Sequence, residues 1–341
     1  MMKYYPYIER ENGGLKSSST FNEQELMMRI CSFLPSTTEI VYALGLEDNL
    51  VGVTHECDYP PEAKNKSIVI MSLINPKELS SREIDEIISE NSRLGKSTYL
   101  IDIEALREVN PDIIITQGLC DVCAVSGNEV VEATKVLGHK PEIISLEPKT
   151  INEIIETIQI IGDATGTGKQ ANELVLELKA RVLRIKSLFS KEKDRQRVFC
   201  MEWLNPPYVA GHWVPEMVEM AGGDNGISKA GEPSFKVTWN EIVDLAPQVI
   251  VLMPCGFNID DTLNRIENLI SNEYWHGLPA TRKGHVYLVD ANSYFSRPGP
   301  RIVDGLEILA KILHPEFRQY EFLPDSVLNL RNHFLLESTL G

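Results

Sequence analysis

The chain has 341 residues, 43% of them hydrophobic and 24% charged, with 33 Lys and Arg against 49 Asp and Glu for a net charge of −16. That length exceeds what a single compact core usually organises, so two lobes are expected. A field this acidic repels phosphate backbones and argues against nucleic acid as a partner, and no run of about 18 apolar residues offers a membrane span.

In chain order, residues 1–28 are polar, charged and rich in Ser and Asn. They hold no apolar stretch and no small-residue cleavage site, and Cys31 lies too deep for a lipoprotein signal. They read as a mobile extension on a cytoplasmic protein. "ICSFL" has strand length; "PSTTEIVYALG" reads as a helix that Ser36 or Thr37 can cap and Gly45 stops. "NLVGVT" is the next strand, delivering His55 to the Pro-rich turn "HECDYPPEA", and residues 72–100 read as an amphipathic helical insertion. "ALREVNPDIIITQG" gives helix, proline and a continuously apolar strand, and "VVEATKVLGHKPEIISL" repeats that step. Helix and strand alternate without period-2 patterning, which predicts a parallel sheet covered on both faces over residues 29–150.

Residues 151–195 read as a linker helix, interrupted near Gly166. "GDATGTGKQ" within it fails as a phosphate loop. Asp163 stands where the first glycine belongs, Gln170 where the hydroxyl belongs, and no strand precedes it. Alternation resumes in a second α/β lobe over residues 196–315, with strands in "RVFCMEW", "PQVIVLM" and "GHVYLVD" and a last helix "RIVDGLEILAKIL"; residues 316–341 read as a tail.

"LPSTTEIVYALGLEDNLVGVTHECDYPPEA" resembles the opening of the iron-siderophore and cobalamin substrate-binding proteins of ABC transporters. "EALREVNPDIIIT", "EWLNPPYVAGHWVPEMVEMAGGDN", "WNEIVDLAPQVIVL" and "SYFSRPGPRIVDGLEILAKIL" resemble further blocks of that family in order, over residues 29–315. The resemblance implies two Rossmann-like lobes bridged by a long backbone helix, in the manner of class III periplasmic binding proteins, with a ligand in the cleft between them. It also implies docking on a permease through one acidic residue per lobe. Glu104 takes the first place; at the second the match gives Asn240, with Glu241 beside it, so the docking pattern is incomplete. The family's first-lobe pocket aromatic falls in the 72–100 insertion, which has no Trp, and its second-lobe Trp falls near Ser234 and Phe235. The family is exported, and this chain reads as a cytosolic branch with a modified cleft.

In parallel α/β sheets ligands meet the loops at strand carboxyl ends. Those loops nominate Pro35, Ser36, Thr37, His55, Glu56, Cys57, Tyr59, Gln117, Cys120 and Cys123 in the first lobe, and Tyr208, His212, Trp213, Tyr294, Phe295 and Arg297 in the second; Phe235 is nominated by the resemblance alone. "GLCDVCAVS" is foreign to the family pattern. Its Cys120 and Cys123, with Cys57 and His55 on a neighbouring loop, suit zinc or another soft metal, or contact with a corrinoid cobalt. A redox pair and plain packing are the alternatives. Trp213, Tyr208 and His212 suit a flat macrocycle, or else pack beneath a helix; Arg297 suits an amide carbonyl or an anion, or else is a surface loop residue. No G-x-S-x-G elbow, H-E-x-x-H or spaced carboxylate pair is present. The leading expectation is a cytosolic, non-enzymatic binding protein for a cobalamin-type corrinoid, serving trafficking, storage or sensing rather than uptake, or else the substrate-binding component of an ABC-type uptake system. The rivals are a binder of a siderophore, haem or bare metal, and a thiol-redox or corrinoid-processing enzyme using Cys120 and Cys123.

Overall fold

The computed structural model describes residues 27–94, 96–117, 127–189, 193–317 and 321–340. The first lobe runs β1 (Ile30–Ser32), α1 (Pro35–Ala43), β2 (Leu50–Thr54), β3 (Ser67–Ser72), α2 (Ser81–Arg93), β4 (Tyr99–Ile101), α3 (Ile103–Val109), β5 (Ile113–Gln117), α4 (Gly127–Thr134) and β6 (Glu142–Leu146). Its six-stranded sheet has the order β4-β3-β2-β1-β5-β6, parallel except where β4 pairs antiparallel with β3. The 72–100 insertion is therefore not wholly helical. Its end returns to the sheet as β4, and "SIVIMS" just before it is the unanticipated β3.

Two helices follow, α5 (Ile151–Ala164) and α6 (Gly168–Phe189), joined at Gly166 with a positive φ of 75°. They pack as an antiparallel hairpin: Lys179 on α6 pairs with Glu156 on α5 at 3.7 Å, and the Gln159 amide donates to the Gly168 carbonyl. The bridge is thus a pair of helices and not a single rod. A Thr150–Glu153 capping box starts α5. The 22 residues of α6 span about 33 Å.

The second lobe runs β7 (Val198–Leu204), β8 (Pro207–Val209), α7 (Val214–Met220), β9 (Phe235–Lys236), α8 (Trp239–Leu245), β10 (Val249–Leu252), α9 (Ile259–Leu263), α10 (Glu267–Ile270), α11 (Pro279–Lys283), β11 (Val286–Val289), α12 (Ala291–Tyr294), α13 (Ile302–Leu313), β12 (Val327–Asn329) and α14 (Leu330–Leu340). Only β7, β10 and β11 are mutually parallel; β8, β9 and β12 add antiparallel edges. The residues expected to be a tail supply β12, hydrogen-bonded to β11.

The same sentence is written twice in the helix-to-strand joints. Helix α3 ends on Asn110 and α8 on Ala246, both left-handed with φ of 35° and 47°, and Pro111 and Pro247 follow. The proline cannot continue the helix, and the left-handed residue turns the chain into β5 or β10. One apolar cluster runs from β1, β2 and β5 of the first lobe through α5 and α6 into β7, β10, α7 and α13 of the second. The bridge is therefore packed into both cores. No helix among the described residues is long and apolar enough to cross a membrane.

Candidate ligand cleft between the lobes

The carboxyl ends of the parallel strands in the two sheets face each other, and three groups of side chains join them. The first is buried. Glu39 on α1 is 4% exposed and Arg297, after α12, is 7% exposed. Arg297 donates to Glu39 at 3.3 Å, to Asp58 at 2.6 Å, to the Glu56 carbonyl and to Asn292. Arg301 donates twice to Glu39, at 2.9 and 2.6 Å, and lies 3.9 Å over the Tyr59 ring, with Tyr294 at 5.7 Å. Buried arginines demand such pairing, because an unpaired charge there is costly. Arg297 is therefore neither a surface residue nor free to meet a ligand: its bonds hold the two lobes together.

The second group lies at the rim. Trp203, near the end of β7, donates its indole N–H to the Ser81 carbonyl on α2. The Tyr208 hydroxyl and the Lys236 ammonium both donate to Asp85, at 2.7 and 2.9 Å. Arg265 donates to the Pro76 carbonyl and its guanidinium covers the Phe257 ring at 4.7 Å, with Trp203 tilted against the same ring. Between these contacts lies a cavity of about 870 Å³, lined by Ser80, Ser81, Arg82, Asn205, Asn264 and Arg265 among others. The third group lies between β6 and the loop before α7. His212 has φ 53°, and burial, with Lys149 nearby, lowers its imidazole's pKa.

The remaining nominated residues divide by which way they turn. Pro35 opens α1 as its first residue, and no side chain caps that helix. Ser36 and Thr37 are 3% and 1% exposed. Ser36 packs against Gly299 of the second lobe, and the Thr37 hydroxyl bonds to Ser32 within the lobe. His55 lies at the cleft, near Ile70's carbonyl and 6.2 Å from the Tyr99 ring. Glu56 is 45% exposed at the side chain, and partial desolvation raises its carboxyl's pKa against the pull of His55 and Arg297. Cys57 turns inward. Its sulfur lies 3.1 Å from the Thr38 hydroxyl and 3.4 Å from that of Thr54, so it does not join His55 at the mouth. Gln117 ends β5 at 7% exposure. Trp213 and Phe295 are core residues, at 6% and 3% exposure, with the Trp213 indole donating to the Phe295 carbonyl; they do not wall the cleft. Phe235 is 40% exposed on the edge strand β9. Cys120 and Cys123 lie outside the described residues.

Among the described residues no three His, Cys, Asp or Glu side chains converge to hold a metal. Cys31 and Cys200 are buried within β1 and β7, and desolvation drives both thiols' pKa values far up, which makes them packing residues. Glu104 is exposed in the first turn of α3. Glu241 is exposed on α8, and its carboxylate accepts from Thr238 in a capping box. Sequence reasoning nominated none of Asp85, Trp203, Phe257 and Lys236, although Trp203 stands near the end of β7 and Phe257 in the loop after β10, where the strand-end rule points.

The comparisons agree with this architecture. By sequence the chain is 26% identical over 293 residues to the uncharacterized ABC transporter substrate-binding lipoprotein YvrC of Bacillus subtilis, covering 84% of this chain and 80% of that protein. It is 23% identical over 287 residues to a vitamin B12-binding protein of Vibrio cholerae, covering 82% and 86%. By structure it resembles the periplasmic vitamin B12 binding protein BtuF of Vibrio cholerae, with a TM-score of 0.62 and 22% identity over 85% of this chain and 98% of that one. It also resembles a periplasmic heme binding protein from Pseudomonas aeruginosa, with a TM-score of 0.65 and 19% identity over 87% and 95%. The lipoprotein relative and the family described as periplasmic binding protein overturn the cytoplasmic expectation and imply work outside the cytoplasm. That expectation rested on the polarity of residues 1–28, which says nothing about where the folded lobes operate. The model of the family described as periplasmic binding protein matches residues 30–293, and the chain belongs to that family.

Proposed function

We propose that this chain is the substrate-binding component of an ABC-type uptake system and that it takes a cobalamin-type corrinoid between its lobes. The observation that carries the reading is the make-up of the cleft. Trp203 and Tyr208 lie at the strand ends of the second lobe, and His55 and Tyr99 adjoin at the edge of the first. A flat, amide-fringed macrocycle needs aromatic walls and a few fixed polar groups. His55, Glu56, Gln117, Tyr208 and His212 supply those groups in this proposal, and Cys120 and Cys123 remain proposed ligand contacts. The vitamin B12-binding relatives support the corrinoid, and Glu104 and Glu241 are the proposed permease contacts.

Titration with hydroxocobalamin, haemin and zinc chloride, followed by visible spectroscopy and calorimetry, tests this. Saturable binding of hydroxocobalamin with a shifted spectrum is expected. Haemin binding without hydroxocobalamin binding overturns the corrinoid and leaves a haem carrier, as the structural neighbours allow. A response to zinc alone overturns both.

A further inference from the structure

We propose that α2 is a lid over the cleft, latched to the second lobe through Asp85, which must swing away for ligand to enter or leave. Three observations carry this. The insertion departs and returns at one point: Ser72 pairs with Tyr99, and the Leu73 N–H donates to the Thr98 carbonyl at 2.8 Å. Everything between hangs from the edge of the first sheet by a single ladder, which is the geometry of a hinge.

Apolar burial holds the helix down along one narrow stripe only. Ile84 is buried and Ile87 and Ile88 are half-buried, and no residue of α2 belongs to any of the three apolar clusters of the described residues. The helix is well formed, with a Ser80–Glu83 capping box and an Arg82–Glu86 pair on its surface. Such an element moves as a unit, and its docking free energy comes from that stripe and a few polar contacts, so it belongs to the low-stability end of the structure.

Four such contacts reach the other lobe. Ser81 receives Trp203, Pro76 receives Arg265, and Asp85 receives both Tyr208 and Lys236. Asp85 is 11% exposed at its side chain, and the Lys236 ammonium also lies 5.6 Å over the Tyr208 ring. Two donors on one half-shielded carboxylate make it the strongest fastening of the set. A cavity opens beside the start of α2, between Ser80–Arg82 and Asn205, Asn264 and Arg265 of the second lobe. The residues at both ends of the latch are polar and reversible, which suits a cover that opens on every binding cycle.

The lid stands apart from the identity of the ligand; the rate arm of its test rests on the corrinoid reading. Hydrogen exchange of the ligand-free protein is measured for the wild type, for Asp85→Asn, for Tyr208→Phe, and for Glu90→Ala as a control on the same helix. Asp85→Asn should raise exchange across residues 81–93 by about tenfold, the worth of one charge-assisted hydrogen bond. Tyr208→Phe should raise it less, and Glu90→Ala not at all, while α5 and α6 stay unchanged in every variant. Association and dissociation rates of hydroxocobalamin should both rise several-fold in Asp85→Asn, with a smaller change in Kd. Unchanged exchange across α2 in Asp85→Asn overturns the lid, as do faster exchange spread over both lobes and unaltered hydroxocobalamin rates. If hydroxocobalamin does not bind the wild type, the corrinoid reading falls, and the exchange arm alone decides the lid.

Discussion

Removing the carboxylate of Glu39 should loosen the joint between the lobes more than any other single change in the cleft. Glu39 is 4% exposed and serves two cations at once. Arg297 keeps Asp58, the Glu56 carbonyl and Asn292 if Glu39 is lost, so its penalty is partial. Arg301 loses both of its carboxylate bonds and retains only the faces of Tyr59 and Tyr294. Breaking a fully buried pair costs about 3–5 kcal/mol. Since Arg297 is compensated, Glu39→Ala should cost about 3 kcal/mol, and Glu39→Gln, which keeps an acceptor oxygen, about 1–2 kcal/mol. Urea unfolding followed by fluorescence and circular dichroism measures this, provided the two transitions coincide. The sharper test is a double-mutant cycle with Arg301→Met. Taking out both charges removes the stranded cation, so Glu39→Gln with Arg301→Met should be less destabilised than the sum of the singles by about 1–2 kcal/mol. Strict additivity refutes the reasoning, because it means Arg301 never depended on Glu39.

Four further outcomes follow from other parts of the molecule. Ala246 is an alanine in the left-handed region at the end of α8, so Ala246→Gly should stabilise by about 1 kcal/mol and raise the melting temperature by about 2–4 °C; calorimetry decides. Burial and Lys149 hold the His212 imidazole's pKa below its ordinary value. The folded state thus resists protonation there, its contribution is whole above about pH 6.5 and is lost as pH falls, and His212→Gln should flatten that part of an acid stability profile. Cys57→Ala should lower the melting temperature, because Thr38 and Thr54 lose their buried partner, while hydroxocobalamin affinity and zinc response stay as in the wild type. Because one apolar cluster ties α5 and α6 into both lobes, solution scattering with and without hydroxocobalamin should show a radius of gyration unchanged within about 1 Å; a change of several ångströms breaks that argument.

The lobes were legible because helix and strand alternate with clear punctuation. Asn110-Pro111 and Ala246-Pro247 each end a helix and open an apolar strand, and the parallel strands at the middle of each sheet are continuously apolar, as burial on both faces requires. The edges were not legible for the converse reason. β4, β8, β9 and β12 have two or three residues each, too few to display a period. "SIVIMS" has strand length, but it directly adjoins the insertion, and its Ile68 and Met71 face solvent. The break at Gly166 was visible, yet only the packing of Glu156 against Lys179 distinguishes a hairpin from a kinked rod.

The site shows where strand-end reasoning stops. The rule that ligands meet strand carboxyl ends selects loops, and two of them, at residues 55–59 and 292–297, do touch each other across the lobes. It does not select side-chain directions. His55 and Cys57 are two residues apart, and in a strand they would share a face. Here the chain turns between them, leaving His55 beside Tyr99 and sending Cys57 into a pocket of threonines. Arg297 was sorted by its chemistry as a binder of an anion or amide carbonyl, and it does bind carboxylates, but they are the protein's own: Glu39, on a helix 258 residues away in sequence, and Asp58, in a loop 239 residues away. Asp85 offered no signal at all. It is one of several acids on a helix that looks solvated from its sequence, and what singles it out is a tyrosine and a lysine that a separate lobe brings to it. A polar residue whose partner lies in another lobe has no local pattern. The residues that fasten this cleft are therefore the ones that only the assembled fold can identify.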